Sequence, residues 1–129
     1  AAKPLRQWTL TLVTSVALVP IANTHPTQRA SAQKWVTYNI AGKDCLPSTE
    51  FKTIHAGFDP AAMCAVPDRG VPVDAMRFFE KQGKFKKLYD YYYVTVGTGT
   101  TQNFAAKFGK EIAAELHQAG VDAVVLTAT

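Results

Sequence analysis

The hydrophobic and polar positions of the chain divide it into a small set of predicted elements. Thr9 to Val13 alternates threonine with leucine and valine, which predicts a strand within residues 8–19 that ends in a turn at Pro20. Residues 21–34 are polar and turn-rich, and residues 51–72 have no clean period and are divided by glycine and proline, so both are predicted as irregular. Further elements are predicted as strands over 35–40 and 91–96 and a helix over 73–82.

The final third of the chain has the pattern of a strand–helix–strand unit. The strand at 91–96 is followed by a glycine-rich loop and then by a helix over 102–119. Thr100 or Thr101 can cap the start of that helix, and Gly120 can close its end. Its apolar residues recur every four positions on one stripe: Phe104, Phe108, Ile112 and Leu116.

A short apolar strand over 121–127 completes this unit, and such units almost always have parallel strands. We therefore expect one α/β domain over residues 1–129. Its predicted fold is an open, mostly parallel sheet with a βαβ unit, Rossmann-like or flavodoxin-like, with strands near 9–14, 91–96 and 121–127 in one sheet.

The carboxyl ends of the predicted strands are where chemistry is expected. In open α/β sheets, ligands and reactive groups lie just beyond those ends. The printed sequence ends on Thr127, Ala128 and Thr129, the last residues of such a strand. We therefore expect the sheet to be incomplete, the chain to be a fragment of a longer subunit, and the reactive residue to be missing from it.

Composition and charge exclude several classes of function. A chain of 129 residues with 47% hydrophobic and 19% charged residues is globular rather than disordered. The net charge of +4 comes largely from lysines at 81–87, and a solvated helix end is favoured there over a nucleic-acid patch because arginine and interleaved aromatic residues are lacking. Cys45 and Cys64 form neither a CxxC motif nor a metal set, so no metal site is predicted.

The N-terminal segment has two interpretations. Lys3 and Arg6 precede an apolar run, and Ala30-Ser31-Ala32 follows, as in a secretory signal peptide. Against this, threonines and a serine interrupt the run and Pro20 ends it, which favours a core strand. The run is also too short and too polar to span a bilayer. A cytoplasmic protein without a membrane segment is the expectation.

The loop from Gly97 to Thr101 is the first candidate site. Gly97 and Gly99 let the backbone approach a ligand, and Thr98, Thr100 and Thr101 add hydroxyl groups beside the N–H groups of a helix start. These features suit a carboxylate or a phosphate. The loop has neither a GxGxxG nor a GK[ST] pattern, so nucleotide binding is not supported, and a purely structural turn is an equal alternative.

A second candidate lies in the irregular segment His55-Ala56-Gly57-Phe58-Asp59-Pro60. His55 and Asp59, four residues apart around a glycine, form a candidate acid–base pair. The simpler alternative, which the spacing favours, is that Asp59-Pro60 starts a turn and His55 caps a backbone carbonyl. His25 and His117 are expected to be solvated.

Several motifs in order resemble the selenoprotein subunit of component B of the glycine, sarcosine and betaine reductases. The resemblance covers nearly the whole chain, and the D-proline reductase selenoprotein shares the ending in looser form. Thr98 departs from the family pattern, which more often has asparagine there. The motifs are Leu12–Ser15 with Leu18–Pro20, Thr53–Pro60, Pro67–Arg69 with Val71–Asp74, Tyr92–Thr100, Phe108–Ala113 and Ala119–Thr129.

This resemblance implies an oxidoreductase of anaerobic, cytoplasmic amino-acid fermentation that cleaves a C–N bond reductively. It implies that a selenocysteine or cysteine follows Thr129 and that the chain alone is inactive. No cofactor is expected in this chain. The implied partners are component B subunits that carry a pyruvoyl group, and the small selenoprotein A; the implied site includes Gly97 to Thr101, with His55 and Asp59. The alternative is a self-contained α/β anion-binding or regulatory module without catalysis.

Overall fold

A computed structural model of the chain describes residues 2–23 and 26–129. His25 lies outside the described residues. The described strands are β1 (Thr9–Thr14), β2 (Leu18–Pro20), β3 (Val36–Asn39), β4 (Phe51–Thr53), β5 (Lys87–Leu88), β6 (Tyr91–Val94) and β7 (Ala123–Thr127). The helices are α1 (Ala61–Ala65), α2 (Val73–Lys81) and α3 (Gln102–Gln118), with 3-10 turns at Leu5–Gln7 and Pro67–Arg69.

Strand β1 is the centre of the main sheet. It pairs in parallel with β7 along one edge, in a register that runs from Leu10 opposite Ala123 to Thr14 opposite Thr127. Along its other edge β1 pairs in parallel with β5 and then with β6. Strand β3 adds to β6 in the antiparallel direction. The predicted α/β fold with a mostly parallel sheet is confirmed, with β1, β6 and β7 in one sheet.

Helix α3 covers one face of this sheet. Phe108, Ile112 and Leu116 are buried in one cluster with Tyr93 of β6, and Val13 of β1 packs against that cluster. The predicted stripe is therefore the buried face of the helix, because a spacing of four keeps these side chains on one side. The opposite face of the sheet has its own core, which includes Leu10 and Leu12 of β1.

Both ends of α3 are closed as the sequence predicted. The Thr101 Oγ1 accepts a hydrogen bond of 3.3 Å from the backbone N–H of Phe104, which makes Thr101 the N-terminal cap. At the other end Gly120 has a φ of +74°, and the N–H of Val121 donates to the carbonyl of Leu116. This Schellman closure turns the chain directly into β7.

Two predicted boundaries were wrong. Residues 8–19 are not one strand: β1 ends at Thr14, Ala17 has a left-handed φ of +51°, and β2 pairs with β4 in a separate two-stranded sheet. The segment 51–72, predicted to be irregular, contains β4 and the single-turn helix α1. These elements are too short to produce a hydrophobic period, so only their tertiary partners define them.

Strand β7 has one apolar face that helix α3 covers only in part. Its burial alternates, and Val124 and Leu126 remain 43% and 76% exposed. Together with Val13 and residues of α3 they line a shallow groove. Within the described residues, no helix has the length and apolar character needed to cross a membrane.

Candidate functional site

The carboxyl ends of β1, β6 and β7 meet at one edge of the sheet and enclose a cavity of about 370 Å³. Its wall is mostly apolar, with Val13, Phe108 and Ile112 among the contributors. Its polar groups come from the residues that follow the strands, including Ser15 and Gly97. This is the position at which open α/β sheets bind ligands. Ser15 was not identified from the sequence, although its place directly after β1 was the available signal.

The predicted loop from Gly97 to Thr101 connects β6 to α3 at this edge. Both of its glycines lie in close contact with other segments, and only Gly99 has a backbone conformation that requires glycine. A Cβ atom at Gly97 would lie 3.3 Å from the Ser15 Oγ. Gly99 has a φ of +70°, and a Cβ atom there would lie 2.7 Å from the Ser31 Oγ. The loop therefore packs tightly against the end of β1 and against the segment 28–32.

The three threonine hydroxyls of the loop have different partners. Thr101 caps α3, and the Thr100 Oγ1 donates to the carbonyl of Val96 at 2.7 Å and accepts from the N–H of Ala32 at 2.9 Å. Thr98 bonds through its backbone, since its carbonyl accepts from the N–H of Ser31. Among the described residues the Thr98 hydroxyl has no partner. Two of the three predicted donors thus hold the loop in place, and Thr98 remains available.

Thr127, the last residue of β7, lines the cavity and has a buried hydroxyl that is closed to it. Its carbonyl accepts hydrogen bonds from the N–H of Ser15 at 3.1 Å and from the Thr14 Oγ1 at 3.3 Å. Its own Oγ1 is the one buried side-chain nitrogen or oxygen without a partner in the part of the chain described. Such an atom costs free energy unless something else satisfies it.

His55 is 7% exposed and fixed by its own segment. The Gly57 N–H donates to the His55 Nδ1 at 2.9 Å, and the His55 N–H donates to the Thr53 Oγ1 at 3.1 Å. The ring packs on Phe58 with 4.9 Å between centroids. Burial lowers the pKa of His55, because the apolar surroundings disfavour the imidazolium. Since Nδ1 accepts a hydrogen bond, the neutral ring carries its proton on Nε2.

The two predicted candidate segments come together in space, while the Asp59 carboxylate bonds to the backbone rather than to His55. A Cβ atom at Gly57 would be 2.8 Å from the His55 Cε1 and 3.0 Å from the Thr98 Oγ1. Asp59 is exposed, and its Oδ1 accepts from the N–H of Ala61 at the start of α1. No hydrogen bond joins His55 to Asp59 among the residues described. His117 is exposed in the last turn of α3.

Neither cysteine contributes to a metal or disulfide site in the described structure. Cys45 is exposed and Cys64 is half-buried, and both are free thiols. No group of three or more histidine, cysteine or acidic residues that could hold a metal ion occurs within residues 2–23 and 26–129.

The sheet and its strand-end cavity define an α/β protein whose candidate site is built by the residues that follow parallel strands. Comparison with known sequences gives a narrower assignment. A model of the family described as glycine/sarcosine/betaine reductase selenoprotein B matches residues 1–129. The chain belongs to that family.

The curated relatives are named as component B subunits of glycine, betaine and sarcosine reductase complexes. The chain is 49% identical over 129 residues to the glycine reductase complex component B subunit gamma of Carboxydothermus hydrogenoformans, covering all of this chain and 30% of that protein. It is 48% identical over 127 residues to the betaine reductase complex component B subunit beta of Peptoclostridium acidaminophilum, covering 98% of this chain and 29% of that protein. The sarcosine reductase complex component B subunit beta of the same organism is 36% identical over 129 residues, covering all of this chain and 30% of that protein.

The chain thus spans less than a third of the length of these relatives. No solved structure matches it significantly.

Proposed function

We propose that this chain is part of a component B selenoprotein subunit that cleaves the C–N bond of glycine, sarcosine or betaine reductively. The observation that carries this proposal is the cavity at the carboxyl ends of β1, β6 and β7, in a chain whose whole length matches the family. The reactive selenocysteine or cysteine would follow Thr129, three residues beyond the end of β7. That position would bring it to the same sheet edge as the cavity.

The residues of this chain would bind and orient the substrate, and an external dithiol reductant would supply the two electrons of the cleavage through the selenol or thiol that follows Thr129. The cavity has a mostly apolar wall, with Ser15 among its few polar residues. Where the substrate is an amine such as glycine or sarcosine, a pyruvoyl group on a partner subunit would supply an electrophilic carbonyl for its nitrogen; the quaternary nitrogen of betaine cannot react in this way. The small selenoprotein A would receive the carbon fragment, and the chain would act in the cytoplasm.

Activity of the reconstituted complex tests this proposal. The gene region that encodes the whole subunit is expressed with its partner subunits and selenoprotein A. Release of ammonia from glycine, methylamine from sarcosine and trimethylamine from betaine is then measured. We expect one of the three amines to be released, and we expect the 129-residue chain alone to release none.

A pair of cavity variants tests whether the strand-end cavity is the site. Ser15→Ala removes a hydroxyl from the cavity and is expected to lower kcat/KM about tenfold or more, the usual scale for one lost hydrogen bond to a charged group. Ser48→Ala, at an exposed serine in the turn before β4, is the matched control and should leave turnover unchanged. Full activity of the Ser15→Ala subunit, or release of no amine by the complete complex, would contradict the proposal.

A further inference from the structure

We propose that the segment of the subunit directly after Thr129 folds back as an amphipathic helix onto the α3–β7 groove and leads to a further strand beside β7. The α3–β7 groove is lined by Gly109, Ala113 and Leu116 on one side and by Val124 and Leu126 on the other. The inference rests on the proposed function in one respect, that this chain is part of a longer subunit.

The α3–β7 groove has the composition of a protein interior. Each residue that lines it is glycine, alanine, valine, leucine or isoleucine, and Leu126 is 76% exposed there. Ala123 and Val125, which alternate with these residues along β7, pack against the core on the opposite face of the sheet. A parallel strand with apolar residues on both faces is typical of a sheet with helices on both faces. The α3 face of β7 therefore requires a further apolar partner.

The α3–β7 groove has room for one helix beside α3. Helix α3 lies over β6 and β1, because its buried residues cluster with Tyr93 and Val13. Packed helices lie about 8–10 Å apart and neighbouring strands about 4.8 Å apart, so the next helix would lie over β7 and the position beyond it. Close approach to α3 is possible at Gly109, where a Cβ atom would meet nothing within 4 Å. The five residues of β7 span about 16 Å, the length of about eleven helical residues.

The direction in which the chain crosses the sheet identifies the following segment as the occupant. Helix α3 connects β6 to β7 past β1, so the chain steps towards the outer edge of β7. Parallel crossovers are almost always right-handed, so a further crossover in this direction places its helix on the same face as α3. Val124 and Leu126 are exposed on that face. Among the described strands β7 pairs with β1 alone, and a strand after the new helix would pair with its other edge.

The relatives have the length that such a unit requires. The chain covers 29–30% of the three component B relatives, which leaves more than two thirds of each outside the matched region. A further helix and strand with their connections need about 30 residues. The helix would start at the edge of the sheet that carries the strand-end cavity. Because Leu126 lines both the groove and that cavity, the helix would also close the cavity on its β7 side.

Photo-cross-linking in the whole subunit tests the inference. The complete subunit is expressed with cysteine at the predicted selenocysteine position and with Leu126→benzoylphenylalanine, and the cross-linked peptides are identified by mass spectrometry. We expect a cross-link within one subunit to a peptide from about the first 30 residues after Thr129. Phe78→benzoylphenylalanine, at an exposed position on α2, is the matched control and should not produce this cross-link.

A cysteine variant provides a second measurement without a bulky side chain. Leu126→Cys in the native whole subunit should react with a maleimide about tenfold or more slowly than in the same subunit unfolded in urea, because buried thiols are inert. Phe78→Cys should react at similar rates in both states. Mass spectrometry of the peptide that contains the new cysteine separates its reaction from those of Cys45 and Cys64.

Three outcomes would overturn the inference: a cross-link from position 126 to residues before Ala1, a cross-link to a second copy of the subunit, or equal reaction rates of Leu126→Cys in the native and unfolded states. Neither measurement uses substrate, partner subunits or selenoprotein A. A failure of amine release therefore leaves this result intact, and a failure of helix docking leaves the proposed reaction standing.

Discussion

The Thr127 hydroxyl is expected to lower the free energy of unfolding of the chain. It is buried at the end of β7 without a partner, so it loses its water without gaining a protein hydrogen bond. We expect Thr127→Val to raise the free energy of unfolding by about 1 kcal/mol, measured by urea denaturation. Thr11→Val is the control, since the Thr11 Oγ1 donates to the Tyr91 carbonyl at 3.0 Å and its loss should destabilise the chain. A destabilised Thr127→Val chain would show that the hydroxyl has a partner.

His55 should make the stability of the chain depend on pH. Its pKa in the folded chain lies below the ordinary value because burial disfavours the imidazolium, so between the two values the unfolded chain binds more protons. Stability contributed by the neutral ring is therefore present above about pH 6.5 and is lost as the pH falls from there towards the folded pKa. We expect urea denaturation to show a steeper loss between pH 7 and 5.5 for the wild-type chain than for His55→Gln. Equal slopes would contradict the burial of this ring, and His117→Gln should behave as the wild-type chain.

The sequence patterns correctly predicted the elements whose signals lie close together in the chain. The stripe of α3, its Thr101 cap and its Gly120 closure all lie within twenty residues, so the strand–helix–strand unit followed from spacing alone. The strands β2 and β4 could not be predicted from spacing, because each has three residues and is defined by its pairing with the other. The turn between β1 and β2 depends on a left-handed Ala17, for which alanine gives no signal.

The sequence predicted the position of the candidate site in the fold, but not the partners of its side chains. The Gly97 to Thr101 loop lies at the strand ends as expected. The N–H of Ala32, 68 residues away in the sequence, donates a hydrogen bond to the Thr100 hydroxyl. The loop sequence alone therefore could not tell which of its hydroxyls have partners. The approach of His55 to Thr98 likewise follows from tertiary packing at Gly57. Spacing within a segment contains no information about such contacts.

The loop after β6 and helix α3 each contain a glycine, and the surroundings of these two glycines predict opposite effects of an alanine substitution. Gly99 has a φ of +70° and no room for a Cβ atom beside Ser31, whereas Gly109 lies inside α3 with nothing within 4 Å. We expect Gly99→Ala to lower the free energy of unfolding by about 1–3 kcal/mol. Gly109→Ala should raise it by about 0.5–1 kcal/mol through helix propensity. Urea denaturation of both variants checks this, and equal effects of the same sign would contradict the loop geometry.

The whole molecule presents an apolar edge at β7. Among the described strands β7 pairs with β1 alone, and Val124 and Leu126 are exposed on a strand of five residues. Exposed apolar edge strands promote association. We expect the 129-residue chain to self-associate with rising concentration in sedimentation velocity, and Leu126→Lys to reduce this association.

A second exposed apolar residue provides the control for that experiment. Phe78 of α2 is 57% exposed and lies on a helix away from β7. Phe78→Lys should leave the association unchanged. A chain that remains monomeric at every concentration, or one that Phe78→Lys alone makes monomeric, would contradict association through β7.

The central claim is that the strand-end cavity serves a reactive residue directly after Thr129, and the most direct measurement is the gene sequence beyond the Thr129 codon. We predict an in-frame UGA or a cysteine codon, followed by codons for a Gly-Thr-Cys-like segment. A UAA or UAG codon with no similar coding sequence beyond it would contradict the claim and would favour an anion-binding module without catalysis.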